Sequence, residues 1–137
     1  MTDASDKINE MLDIKSRIRE MGGEKLVAKQ KEKGKLTARE RLDHFFDAGT
    51  FREIDTFVRH RCVNFGMEKA DVPSDGVITG HGLVNGRPVF AFAQDFTARA
   101  GSLGEMHAKK ICKVMDLAMK SGVPFIGFND SGGARIQ

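Results

Sequence analysis

Asn85-Gly86 is the feature that most narrows what this chain can fold into. It separates two runs of strand-forming residues, Val77 to Val84 and Arg87 to Phe96. A two-residue connection between paired strands needs positive φ at both central positions, and Asn-Gly satisfies that requirement better than almost any other dipeptide. The spacing therefore predicts an antiparallel hairpin, and the neighbouring segments are best read outward from it.

Downstream, Gly101-Ser102-Leu103-Gly104 leads into a predicted helix with Ala108, Ile111, Cys112, Met115, Ala118 and Met119 on one stripe, ended by Gly122. Val123 to Phe128 follows as a short, almost wholly apolar run, with Pro124 near its start where a missing donor is tolerated. Such a run fits a strand buried on both faces of a layered α/β structure, reached by a right-handed crossover.

Upstream, the period changes from two to about 3.6. Ile8, Met11, Leu12, Ile14, Ile18 and Met21 predict a helix over Asp6 to Met21, with Gly22-Gly23 as a left-handed stop. A shorter helix is expected over Glu24 to Lys33, ending at Gly34. Thr37 and Glu40 form a capping box ahead of a third, whose apolar face is Leu42, Phe45 and Phe46. Phe51 to Val58 reads as a strand, and Val63 to Asp75 as a loop closed by the Ser74-Asp75-Gly76 turn. Residues 1–50 thus form a helical arm with a thin core that has to pack on something else, and residues 51–137 form the α/β part.

Composition narrows the function classes. With 137 residues, 40% hydrophobic and 30% charged, the chain is of ordinary globular composition and too short for a multi-domain enzyme. No apolar run approaches the roughly 20 residues that span a bilayer, so no membrane span is expected. Met1 to Asp13 has no apolar signal region, which gives a cytoplasmic reading. Cys62 and Cys112 fit neither a zinc site nor a redox pair and read as reduced packing thiols. Without Trp or Tyr, a base-stacking platform would rest on Phe and His alone. Between Lys25 and Arg41 seven Lys or Arg face only Glu32 and Glu40; a solvated helix face explains this better than a nucleic-acid site.

The chemistry is expected where the last apolar run meets Asn129-Asp130-Ser131-Gly132-Gly133-Ala134-Arg135, because ligands in open α/β sheets bind beyond the carboxyl ends of the strands. Two glycines allow close approach of a ligand to the backbone, and a helix beginning near Ala134 would aim free N–H groups at negative charge. Paired donors of that kind are what an enolate or a tetrahedral oxyanion requires. Gly80, Gly82 and Gly86 spell no nucleotide fingerprint and no P-loop lysine follows them. His44, His60, His81 and His107 are scattered, so no metal site is expected; His107 reads as a satisfied or exposed helix-end histidine. Asp95, Asp130 and Ser131 lie outside any G-x-S-x-G elbow, which disfavours a serine hydrolase.

Six blocks extend this reading: Gly34–Leu42, Asp75–Gly80, Gly86–Val89, Gln94–Thr97, Gly101–Glu105 and Asp130–Gln137. In this order they resemble the N-terminal part of the acyl-CoA carboxylase β-subunit family, the biotin-dependent acyl-CoA carboxyltransferases, from about residue 10 to the end. The resemblance implies a crotonase-like α/β fold of ββα units behind the helical arm. It also implies transfer of CO2 between carboxybiotin and the α-carbon of a short acyl-CoA, propionyl-CoA or methylmalonyl-CoA.

By the same resemblance Gly133 and Ala134 supply the peptide N–H groups that stabilise the thioester enolate. Gly132 shapes their turn, and Gly101 and Ser102 belong to the substrate-binding block. Biotin arrives as carboxybiotin on a carrier and serves as the base, so no side-chain base is required. Implied partners are the acyl-CoA, the biotin carboxyl carrier and biotin carboxylase subunits, and further copies of the chain.

Ala100 stands where many family members carry glycine. Family subunits run to several hundred residues and hold the biotin ureido oxygen in a second domain, so the sequence reads as a truncated piece that would be inactive alone. A non-catalytic acyl-CoA-binding or subunit-assembly module is the competing reading.

Overall fold

The computed structural model describes residues 3–136. Helices α1 (Ala4–Arg19), α2 (Glu24–Glu32) and α3 (Ala38–Phe45) precede strand β1 (Arg52–Ile54) and the hairpin β2 (Val77–Val84) and β3 (Arg87–Gln94). Helix α4 (Glu105–Ser121) then leads to strand β4 (Phe125–Phe128). The sheet order is β1-β2-β3-β4, with β4 parallel to β3 and the other pairs antiparallel.

The hairpin forms where Asn85-Gly86 predicts it, with φ of 50° and 75° at the two turn residues. Asp47 completes the turn by accepting from both of their N–H groups. Ile78 is paired with Ala93 and Gly82 with Val89, so one sheet face carries Ile78, Val89, Ala91 and Ala93. On it α3 buries Ala38, Leu42 and Phe46. The capping box is present: Thr37 Oγ1 accepts from the Glu40 N–H, and the Glu40 carboxylate accepts from the Thr37 N–H. Phe128, Phe45, Phe46 and Phe51 form a continuous row of ring contacts along this face.

The opposite sheet face, with Val77, Thr79 and Gln94, receives α4. Here the structure corrects the predicted stripe. His107, Lys110, Val114 and Ala118 face inward, whereas Met115 and Met119 are 45% and 77% exposed and Cys112 is exposed. The error arose because two polar residues, His107 and Lys110, find buried partners that hydrophobicity cannot reveal.

Other differences are local. Among the described residues β4 pairs only with β3, and its faces are not fully covered: Ile126 is 37% exposed. β1 spans only Arg52–Ile54, because Asp55 turns left-handed with φ 60° and ends the pairing. Of the expected Gly22-Gly23 stop only Gly23 has positive φ (91°), and Met21 (φ 55°) joins it in place of Gly22. Gly22 is required for a different reason: a Cβ there would lie 1.9 Å from the Thr97 carbonyl oxygen. Cys112 is no packing thiol, and Cys62 is half-buried; both are free. No helix is long and apolar enough to cross a membrane among the described residues.

Candidate functional site

Because β3 and β4 are parallel neighbours, the segments that leave their carboxyl ends run side by side. The first contains Gly101 and Ser102, the second Gly132, Gly133 and Ala134. They are joined as a short parallel pairing: the Gly132 N–H donates to the Ala100 carbonyl at 2.8 Å, Leu103 N–H to Gly133 at 2.9 Å, and Arg135 N–H to Leu103 at 2.8 Å. All five site residues expected from the sequence therefore meet in one place.

Gly101 is the hinge of this packing. Its φ is +59°, and a Cβ there would sit 2.3 Å from the Asp130 carbonyl oxygen, so only a bare Cα lets the two segments touch. The Ser102 hydroxyl donates to the Arg99 carbonyl, 2.7 Å away. Through Ile136 no helix begins, and Ala134 is extended and bridged to Leu103. Gln137, the end of the last motif block, lies outside the described residues.

The two expected donors differ. The Gly133 N–H donates to Ser131 Oγ at 3.1 Å, whose hydroxyl donates in turn to the Gly133 carbonyl at 3.0 Å. The Ala134 N–H has no acceptor among the described residues, and Gly132, Gly133 and Ala134 are all exposed. A cleft of about 710 Å³ adjoins this edge, lined by Phe65, Met67, Arg99, Ser102, Arg135 and Ile136. Apolar walls with two guanidinium groups suit a ligand that has both an apolar and an anionic part.

The loop is braced from outside by residues that no motif search singled out. Asp130 is 8% exposed, and its carboxylate accepts from Lys35 Nζ at 3.0 Å, Gln30 Nε2 at 3.0 Å and Arg41 at 2.6 Å. Burial raises its pKa, but these three donors outweigh burial and hold it below the usual carboxylate range. The basic stretch is thus no simple solvated face: Lys31 pairs with Glu40, Arg39 with Glu53, and Lys35 and Arg41 with Asp130.

Asp95 is buried and accepts from the Thr97 N–H and hydroxyl; burial raises its pKa. It shapes the turn after β3. His107 is fully buried, and burial lowers its pKa to about 4. Lys110, 1% exposed, donates to the Ser74 carbonyl and hydroxyl and to the Val77 carbonyl, and burial lowers its pKa to about 8. No cluster of potential metal ligands occurs among the described residues.

A hairpin, a covering helix and a parallel strand that opens into a glycine loop make up a crotonase-like ββα unit. Comparison with known proteins specifies the unit further. A profile of the carboxyl transferase domain matches residues 29–137. Over 137 residues the chain is 59% identical to the methylmalonyl-CoA decarboxylase subunit alpha of Propionigenium modestum, covering all of this chain and 26% of that protein. Over 132 residues it is 54% identical to the propionyl-CoA carboxylase beta chain of Cereibacter sphaeroides, covering 96% of this chain and 26% of that one. The crystal structure of transcarboxylase 12S with methylmalonyl-coenzyme A and methylmalonic acid bound superimposes with a TM-score of 0.96 at 45% identity, over 100% of this chain and 27% of that one. The chain belongs to the carboxyl transferase domain family. It spans about a quarter of the length of the curated relatives it matches.

Proposed function

We propose that this chain is the N-terminal part of a biotin-dependent carboxyltransferase subunit, which moves CO2 between carboxybiotin and the α-carbon of a short acyl-CoA such as propionyl-CoA or methylmalonyl-CoA. The observation that carries this reading is the Gly132-Gly133-Ala134 edge, exposed beside a cleft, with no acceptor for the Ala134 N–H among the described residues. Loss of the α-proton places negative charge on the thioester oxygen. Fixed backbone donors stabilise that charge without reorganising, and one such donor contributes about 3 kcal/mol to the transition state.

In this reading Ala134 donates first. The Gly133 N–H joins it when Ser131 Oγ, now 3.1 Å away, yields its place to the substrate oxygen. Ser131 Oγ thus marks a position that an oxygen acceptor can occupy. The half-buried Arg135 and the exposed Arg99 flank the cleft, where they would attract the anionic portion of an acyl-CoA.

Biotin supplies the transferable CO2 and comes on a carrier protein. In this reading the pocket for its ureido oxygen belongs to another part of the subunit, of whose relatives' length this chain spans about a quarter. Residues 51–137 are then the opening part of the carboxyltransferase domain, and residues 1–50 an arm that steadies its loop through Gln30, Lys35 and Arg41.

Replacement of Gly133 by Val in the complete subunit tests the assignment. The φ of +134° at Gly133 is closed to a β-branched residue, while no atom lies within 4 Å of the added Cβ, so the change distorts the loop without a clash. Turnover of propionyl-CoA with carboxybiotin is expected to fall by about 10²-fold. Unchanged turnover would refute the oxyanion role.

A further inference from the structure

The loop that carries Gly133 and Ala134 is held at both ends, and the two holds converge on a single buried histidine. At one end the Asp130 N–H donates to Gln94 Oε1 at 3.1 Å. At the other, the Arg135 guanidinium donates to Asp75 Oδ1 at 2.7 Å, to the Asp75 carbonyl at 3.3 Å and to the Ser102 carbonyl at 3.2 Å. Between them stands His107. Its Nδ1 lies 2.9 Å from the Asp75 carbonyl, its backbone N–H donates to Asp75 Oδ2 at 2.8 Å, and its Nε2 lies 3.4 Å from the Gln94 amide. A carbonyl can only accept, so Nδ1 carries the proton and Nε2 is left to accept from Gln94. Burial, which depresses the histidine's pKa, favours this same neutral form.

Asp75 itself stands in an unusual backbone. Ser74, Asp75 and Gly76 have φ of 52°, 50° and 74°, three left-handed residues in succession. Two non-glycine residues in that region cost free energy and persist only where their surroundings over-determine them. Here Lys110 binds the Ser74 and Val77 carbonyls on either side of the turn, and His107 binds Asp75. The turn's product is a fully buried carboxylate aimed at Arg135, a residue immediately after the exposed donor edge.

We propose that Asp75 is a positioning residue of the carboxyl-transfer site, fixing Arg135 and through it the direction of the Gly133 and Ala134 N–H groups. The proposal rests on the oxyanion reading of the loop given above. Asp75 touches no substrate; it acts through the guanidinium. Removing the hold lets the last three residues of the loop pivot about the Leu103 pairing, and misplacement of a reacting geometry by about 1 Å costs up to about 10²-fold in rate.

The test is steady-state kinetics of the complete subunit, with propionyl-CoA and carboxybiotin, for Asp75→Asn, Arg135→Lys, Arg135→Ala and the Asp75→Asn/Arg135→Ala double variant. Folding of each is verified by circular dichroism. Asp75→Asn is expected to lower kcat at least about tenfold while KM for the acyl-CoA changes by less than about threefold. Arg135→Lys should retain more kcat than Arg135→Ala, and the double variant should be no slower than Arg135→Ala, because both changes remove one interaction.

A kcat for Asp75→Asn within about twofold of the parent, an effect confined to KM, or losses that multiply in the double variant would each overturn the proposal. Should Asp75→Asn fail to fold, the Arg135 pair decides. Partial rescue by Lys supports the proposal, and full kcat in Arg135→Ala overturns it. The Gly133→Val subunit runs in parallel. If it keeps full turnover, the oxyanion reading fails whatever Asp75 does; if it is inactive while Asp75→Asn is fully active, the positioning role alone fails.

Discussion

Replacing Gly101 by Ala isolates the contact between the two loop segments. The added methyl would lie 2.3 Å from the Asp130 carbonyl oxygen, and both partners are backbone, so no rotamer change relieves the overlap. The oxygen has to retreat by about 1 Å to reach ordinary contact. Its residue is the one whose carboxylate binds Lys35, Gln30 and Arg41 and whose N–H binds Gln94. Hydrogen bonds to a charged group contribute about 1.5–3 kcal/mol each, so loosening one or two costs about 2–5 kcal/mol. The left-handed backbone adds about 1 kcal/mol for a residue with a Cβ. The sum, about 3–6 kcal/mol, corresponds to a fall in Tm of at least about 10 °C for a chain of this size. Thermal unfolding followed by circular dichroism measures it. A Tm within about 2 °C of the parent would show that the segments are not in the contact described, and the geometry of the site would have to be redrawn.

Acid should destabilise the protein before its carboxylates titrate. The pKa of His107 is lowered from 6.5 to about 4, so between those values the unfolded chain binds a proton that the native one does not. Stability therefore falls as pH drops from about 6.5 to 4, by up to about 3 kcal/mol, and denaturant midpoints across that window should show a shallower fall in His107→Gln. Ala100 adopts φ 54°. Its replacement by Gly should relieve the left-handed strain and raise stability by about 0.5–1 kcal/mol after the entropy of glycine in the unfolded chain is deducted, measurable by urea unfolding.

Signals confined to neighbouring residues were readable without coordinates. Asn85-Gly86 and the Thr37 capping box each act over a few positions, and each stands where local chemistry places it, whereas the helix expected near Ala134 does not begin through Ile136. The meeting of Gly101 and Ser102 with Gly132 to Ala134 was reached through family resemblance and through the rule about strand ends. Neither of these supplies the hydrogen bonds that join the segments. The inward face of α4 was misread because burial of Lys110 and His107 depends on acceptors 33 to 36 residues away for Lys110 and 32 for His107. In the same way, a run of cations looks solvated until Asp130 is brought against it from about ninety to a hundred residues downstream.

Those separations have a kinetic meaning. Asp130 meets Arg41, Lys35 and Gln30 across 89, 95 and 100 residues of chain, whereas the hairpin closes over two. Closing so long a segment is entropically costly, so the hairpin and its helices can organise early while the loop is anchored only near the end of folding. Substitutions at Asp130, Lys35 or Arg41 should accordingly leave the folding rate almost untouched and hasten unfolding, which makes this corner the place where the lifetime of the native state is decided.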